Sequence, residues 1–114
     1  MKLPNSERAV VDINKLQGYC LNHLHPRGKH KARVFSAALG LTIDHADMLQ
    51  KALLGAAKTY EATLTIKDIY GQRYVIDFIM SGPIGVAMIR SAWIVRVNED
   101  FPRLTTCYVL GRKR

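Results

Sequence analysis

Cysteine is scarce in this chain of 114 residues, which contains only Cys20 and Cys107. The two stand far apart, with no C-x-x-C pair and no histidine at the spacing of a metal ligand. This pattern argues against a zinc site, and we expect two reduced, buried thiols of a cytoplasmic protein. The sequence leaves open whether the two sulfurs meet.

Long apolar runs are also absent. No stretch approaches the ~18 consecutive apolar residues of a membrane-spanning helix, and residues 1–14 are too mixed and charged for the core of a signal peptide. The acidic residues are too dispersed for a two-metal nuclease site, and no Gly-rich phosphate loop precedes a helix. We therefore expect no membrane association, no metal and no cofactor.

Positive charge is what the sequence has in excess. Lys and Arg number 17 against 9 Asp and Glu, which gives a formal net charge of +8. Such an excess favours a polyanionic partner, namely nucleic acid, an anionic membrane surface or an acidic protein, although many small proteins are basic for solubility alone. The hydrophobic content of 48% is enough for one packed core, and the length predicts a single domain over residues 1–114.

The spacing of apolar residues changes from a helical period to a two-residue period after Tyr60. After a lead-in or edge strand at 1–12, the pattern predicts helices at 13–21, 29–39 and 45–58, and strands at 62–69, 73–80, 86–97 and 103–110. Short connections between the strands imply an antiparallel meander. We therefore predict an α+β fold with three N-terminal helices on one face of a four-stranded antiparallel sheet, followed by a basic tail at 111–114.

Alternation along the third predicted strand separates two faces. Ile89 and Trp93 belong to the face expected under the helices, whereas Arg90 and Arg96 lie on the open face. Counting back across the glycine-bearing turn brings Asp77 of the preceding strand close to Ile89 or Arg90. We predict that Asp77 and Arg90 pair on the open face, with an ordinary surface salt bridge as the alternative interpretation.

The densest basic run in the interior is HPRGKHKARVF, from His25 to Phe35. It places Lys29, His30 and Lys31 in the first turn of the second predicted helix, where free backbone N–H groups also favour an anion. Basic side chains at the N-terminus of a helix are mildly unfavourable for that helix. Such a conflict between side chain and local structure is typical of a functional site. His30 is the best acid/base candidate, because the neighbouring cations disfavour its protonated form. The alternative is a helix-start histidine without a function.

Arg103 follows a proline turn at the start of the last predicted strand. A guanidinium in that place is suited to bind a phosphate through two parallel hydrogen bonds, which lysine cannot form. A solvated arginine is the alternative interpretation.

Four stretches of the chain carry a family resemblance: LPNSERAVVDINKL (Leu3–Leu16), HPRGKHKARVF (His25–Phe35), RSAWIV (Arg90–Val95) and PRLTTCYV (Pro102–Val109). Through them, almost the whole chain resembles a family of small bacterial domains of unknown function. The predicted order of helices and strands also resembles the barnase–EndoU–colicin–RelE (BECR) group of small ribonucleases, which serve as bacterial toxins.

The resemblance implies a metal-independent ribonuclease toxin that is neutralised by a cognate antitoxin or immunity protein, expected to be acidic. In this interpretation His30 is the acid/base group, Lys31 and Arg103 stabilise the phosphate, and Thr105 and Tyr108 orient it or donate a proton. Five basic residues would bind the RNA: His25, Lys29, Arg33, Arg90 and Arg96. Barnase-type enzymes use a glutamate base, and the middle of the late strands contains no glutamate here.

Two other functions compete with this one. The same basic face would serve a non-catalytic RNA- or protein-binding module. The chain would alternatively be the antitoxin of a pair, but antitoxins usually join a DNA-binding fold to a disordered arm, and the sequence indicates neither.

Overall fold

Four antiparallel strands form one sheet in chain order, β1-β2-β3-β4. The computed structural model describes residues 1–112. The strands are β1 (Thr63–Asp68), β2 (Gly71–Ser81), β3 (Val86–Arg96) and β4 (Pro102–Arg112). The helices that precede them are α1 (Ile13–Lys15), α2 (Lys29–Leu39) and α3 (Ala46–Thr59). The predicted α+β meander is therefore confirmed.

The second helix, α2, has the predicted bounds. Ala32, Phe35 and Leu39 are buried at helical spacing, so one stripe of the helix packs on the core. Gly40 ends the helix with a φ of 74°, a left-handed conformation in which glycine has no Cβ penalty. Before α3, a 3₁₀ turn over Ile43–His45 begins at Thr42, whose side chain accepts from the Asp44 N–H.

The first predicted helix, 13–21, is only partly α-helical. After α1 the chain widens into a π-helical turn over Leu16–Cys20, in which the Leu21 N–H donates to the Leu16 carbonyl at 2.9 Å. Leu16 and Cys20 remain buried, and Tyr19 comes to lie beside the start of α2. π turns of this kind often occur at functional sites.

The helices cover the face of β2 and β3 that was predicted to be buried. At its centre the Trp93 indole N–H donates to Ser91 Oγ at 2.9 Å, and that hydroxyl donates to the Ile76 carbonyl at 2.9 Å. The polar groups of this part of the core are therefore paired. Arg90 and Arg96 lie on the opposite face, as predicted.

The lead-in forms one bridge rather than a full edge strand. The Val10 N–H donates to the Pro102 carbonyl and the Leu104 N–H to the Val10 carbonyl, both at 2.9 Å, so the segment runs parallel to the start of β4. It borders Ile94, which is only 6% exposed although its position is on the open face.

At the other end of the chain, β4 continues through Arg112, so half of the predicted tail belongs to the strand. The remainder of that tail, residues 113–114, lies outside the described residues. Within residues 1–112, none of the helices combines the length and apolar character that crossing a membrane requires.

Candidate functional site

A groove of about 310 Å³ separates the start of α2 from the second half of β4. Its lining consists of His30, Lys31, Val34, Tyr108 and Val109. The structure therefore brings three of the predicted catalytic residues together, although Tyr108 lies more than seventy positions after His30 and Lys31 in the chain.

Lys31 is the most constrained side chain of the groove. Its Nζ donates to the Tyr19 hydroxyl at 3.1 Å. The same ammonium lies 5.0 Å from the centroid of the Tyr19 ring and 5.9 Å from that of Tyr108. Both distances are within the range of a cation–π interaction. Two aromatic rings and one hydroxyl thus hold a positive charge at the mouth of the groove.

The turn before α2 positions this lysine. His25 Nδ1 accepts from the N–H groups of Arg27 at 3.0 Å and Gly28 at 2.9 Å, so the imidazole satisfies donors at the helix start. The His25 ring also meets the Tyr19 ring edge-on, with centroids 4.8 Å apart. His25 therefore orders the loop, whether or not it also contacts RNA.

Arg90 and Tyr108 extend the groove onto the open face of the sheet, where they are direct neighbours on β3 and β4. Arg90 Nε and Nη2 each donate to Asp77 at 2.8 Å, which confirms the predicted pair. The guanidinium lowers the pKa of the Asp77 carboxyl, chiefly through these hydrogen bonds, and the carboxylate in turn raises the pKa of Arg90. The nearby Tyr108 phenol adds to the latter shift.

The positive charge of the segment from 25 to 35 has no acidic partner among the described residues. The segment from 25 to 35 carries four Lys or Arg residues and no acidic one. None of the ion pairs within residues 1–112 includes a member of that segment. Lys29 and Arg33 are exposed on the solvent side of α2, so this surface is available to an anion.

The family comparison adds one finding to this geometry. Residues 2–111 match the model of a domain of unknown function, DUF6883. The chain belongs to the DUF6883 family. This confirms the expected membership of a domain family of unknown function. No curated protein matches the chain.

Two of the predicted catalytic residues of this DUF6883 chain lie outside the groove. Arg103 is five positions before Tyr108 on the same strand, which separates them by roughly 16 Å. Its Nε and Nη2 each donate to Glu99 at 2.8 Å, and its guanidinium lies 4.9 Å from the centroid of the Phe101 ring. Thr105 donates its hydroxyl proton to the Ala92 carbonyl at 3.1 Å.

Arg103 and Thr105 instead line a second cavity of about 180 Å³, together with the predicted RNA-binding residue Arg96. Lys15 and Asp12 complete its charged lining. The predicted site residues of the DUF6883 domain thus form two clusters, one beside α2 and one at the start of β4.

Tyr19 is the functional candidate that sequence reasoning missed. By its spacing, Tyr19 belongs to one face of the first predicted helix, 13–21, together with Ile13, Leu16 and Cys20. Only the packing of the π turn against α2 reveals its hydroxyl as the acceptor for Lys31. The sequence contains no local signal for this contact.

The two cysteines are buried as free thiols, as predicted, and they lie next to each other. Interaction with the Cys107 thiol lowers the pKa of Cys20, whereas interaction with Cys20 and burial raise the pKa of Cys107. Over residues 1–112, no three side chains of His, Cys, Asp or Glu cluster in a way that would hold a metal ion.

Proposed function

We propose that this chain is a metal-independent endoribonuclease that acts as a bacterial toxin. The observation that carries the proposal is the groove in which Lys31 contacts both tyrosine rings, next to the exposed His30. The fold adds support, because helices followed by a four-stranded antiparallel meander are the layout of the BECR ribonucleases. One fold serves many functions, so the site carries more weight than this likeness.

RNA cleavage of this type needs one base, one acid and positive charge near the phosphate. The base removes the proton of the 2′-hydroxyl, and the 2′-oxygen attacks the phosphorus. The bond from phosphorus to the 5′-oxygen then breaks, and the acid protonates that leaving oxygen. The products are a 2′,3′-cyclic phosphate and a 5′-hydroxyl end.

The groove supplies a group for each role. His30 is exposed and forms no hydrogen bond to another described side chain, so its imidazole is free to accept the 2′-hydroxyl proton. The Lys31 ammonium stabilises the charge that develops on the phosphate. The Tyr108 phenol, between Lys31 and Arg90, donates to the leaving oxygen. Arg90, held by Asp77, orients the phosphate.

The test is cleavage of labelled RNA in the presence of EDTA. We expect cleavage by the wild-type chain, a loss of about 10²- to 10⁴-fold in His30→Ala, and a loss of about 10²- to 10³-fold in Lys31→Ala. Lys58→Ala, which removes an exposed cation on α3, is the matched control and should retain full activity. Equal activity in all three variants would refute the assignment of the site.

The toxin role requires a neutralising partner, and we propose an acidic antitoxin or immunity protein that covers the basic surface at the start of α2. Expression of the chain should stop bacterial growth, and co-expression of a small acidic protein from the adjacent reading frame should restore it. Well-folded protein without any effect on growth would contradict the toxin role.

A non-catalytic RNA-binding module is the second candidate function. The observation that favours it is that two of the predicted catalytic residues, Arg103 and Thr105, lie outside the groove and are held by Glu99 and by the Ala92 carbonyl. Tight, salt-sensitive binding with the RNA intact in the EDTA reactions would support this function instead of the first.

A further inference from the structure

Two arginines on the sheet are held by carboxylates in the same way. Arg90 donates from Nε and Nη2 to Asp77, and Arg103 donates from Nε and Nη2 to Glu99, with all four distances at 2.8 Å. Each carboxylate occupies one edge of the guanidinium, and Nη1 has no acceptor within the described residues. A guanidinium fixed in advance loses little entropy when its second edge binds a phosphate.

Both arginines lie on the open face of the sheet. Arg103 is paired across the strands with Ile94, which is four positions after Arg90 on β3. Residues at even spacing share a face, so the two guanidinium groups are separated by ~13 Å along the strand direction. Arg96, exposed and in no ion pair within residues 1–112, lies on the same face about 20 Å from Arg90.

The surface between the two arginines is formed by β3, β4 and the lead-in segment. On β3 its outward positions are Ala92, which is half-buried, and Ile94, which the lead-in segment covers. On β4 the Thr106 hydroxyl points towards the buried Cys20 sulfur, 4.0 Å away, whereas Thr105 lines the cavity. At its far end, the cavity around Arg103 adds the ammonium of Lys15 and the carboxylate of Asp12. The far end of the path thus holds three cations, Arg96, Arg103 and Lys15, against two carboxylates, Asp12 and Glu99, so it keeps a net positive charge.

We propose that the substrate is single-stranded RNA bound along this path, from the groove beside α2 to the cluster of Arg96 and Arg103. The proposal rests on the ribonuclease function proposed above. Stacked nucleotides advance ~3.4 Å each, so the path accommodates about four to six of them, and fewer in an extended strand. This agrees with the lower end of known single-strand footprints, which span ~4–16 nucleotides.

A duplex does not fit the same path. The strand must pass from the outer edge of β4 onto the open face within the length of a few nucleotides. Nucleic-acid duplexes are stiff over much longer distances, with a persistence length of about 150 base pairs for DNA. Only a flexible single strand can follow such a turn.

The experiment uses fluorescent DNA oligonucleotides that contain one ribonucleotide, so that each has a single cleavable bond. The strand is lengthened stepwise on either side of that bond, and kcat/KM is measured in EDTA. We expect kcat/KM to rise about tenfold or more as one side grows to four to six nucleotides, and then to level off. The double variant Arg96→Ala/Arg103→Ala should lose most of this gain, whereas Lys58→Ala should keep it.

A gain that persists in the double variant, or cleavage that does not depend on length, would overturn the proposal while leaving the ribonuclease function intact. Arg96→Ala alone breaks no ion pair, and it should lose about half of the length-dependent rise in log(kcat/KM). A loss in this single variant therefore reports lost RNA contacts and not a disturbed fold. Circular dichroism checks the fold of both variants.

Binding of all-deoxy oligonucleotides, measured by fluorescence anisotropy, distinguishes the two proposals if no RNA is cleaved. An affinity that rises with oligonucleotide length would support the path even without catalysis. The slope of log affinity against log salt concentration should then fall in magnitude by about one for each arginine removed. Affinity that is equal for all lengths would overturn it. Normal oligonucleotide binding combined with lost antitoxin binding in the double variant would instead assign this face to a protein partner.

Discussion

Replacing Gly28 with alanine sets two physical effects against each other. Glycine gives the unfolded chain extra freedom, so alanine is favoured by about 0.4–1 kcal/mol wherever the native angles suit it, and Gly28, the N-cap of α2, has the angles φ −71° and ψ −21°. Backbone preference alone therefore predicts stabilisation. A Cβ at this position, however, would lie 2.1 Å from the Tyr19 carbonyl oxygen and 2.8 Å from its carbon. Because these are backbone atoms, no side-chain rotation relieves the contact.

Overpacking typically costs 1–3 kcal/mol, and a clash with backbone belongs in the upper part of that range. After this backbone preference is subtracted, we expect Gly28→Ala to lower the free energy of unfolding by about 2 kcal/mol. For a domain of this size, 1 kcal/mol corresponds to roughly 4 °C in Tm, so Tm should fall by ~8 °C. The measurement is thermal or urea unfolding followed by circular dichroism.

Gly55→Ala is the matched control. Gly55 lies in α3, and nothing is within 4 Å of the Cβ that alanine would add there, so only the helix preference acts. We expect this variant to gain about 1 kcal/mol, or roughly 4 °C. If Gly28→Ala were stabilised to the same extent, the close contact between the π turn and α2 would be refuted, and with it the positioning of the groove lysine.

Three further predictions concern the core, the ion pair and the groove. Ser91→Ala should destabilise the fold by about 1–3 kcal/mol, because it leaves the buried Trp93 indole N–H without an acceptor; urea unfolding measures this. Arg90 holds the pKa of Asp77 below its usual 3.8, so the pair stabilises the fold at neutral pH and is lost as the pH falls through the folded pKa. Between pH 7 and pH 3, the free energy of unfolding should therefore fall less in Asp77→Asn than in the wild type. The difference should be no more than about 1 kcal/mol, because the pair is partly exposed to solvent. Tyr19→Phe should lower RNA cleavage without lowering Tm by more than a few degrees, because it removes only the hydroxyl that accepts from the groove ammonium.

Sequence reasoning predicts the sheet well because strand pairing follows from alternation and short turns. The face of β2 and β3 that packs under the helices follows from the two-residue period. The pairing of Asp77 with Arg90 follows from counting across one turn. α2 is predicted to the residue because its apolar stripe ends at a glycine suited to the left-handed C-terminal position.

The candidate site is less predictable because it depends on contacts between distant segments. The π turn has no local sequence signal, so the Tyr19 hydroxyl could not be assigned to Lys31. The pairing of Arg103 with Glu99 depends on how the turn between β3 and β4 folds back on itself. Residue type identified the cations, but only the register of β4 separates them into two clusters.

The most direct test of the proposed function is the chemistry of the cleaved RNA ends, measured in EDTA with wild-type protein and with Lys31→Ala. We predict a 2′,3′-cyclic phosphate and a 5′-hydroxyl from the wild type, formed about 10²- to 10³-fold more slowly by the variant. Intact RNA after incubation with well-folded protein, or identical rates for the two proteins, would contradict the account of the groove as a ribonuclease site.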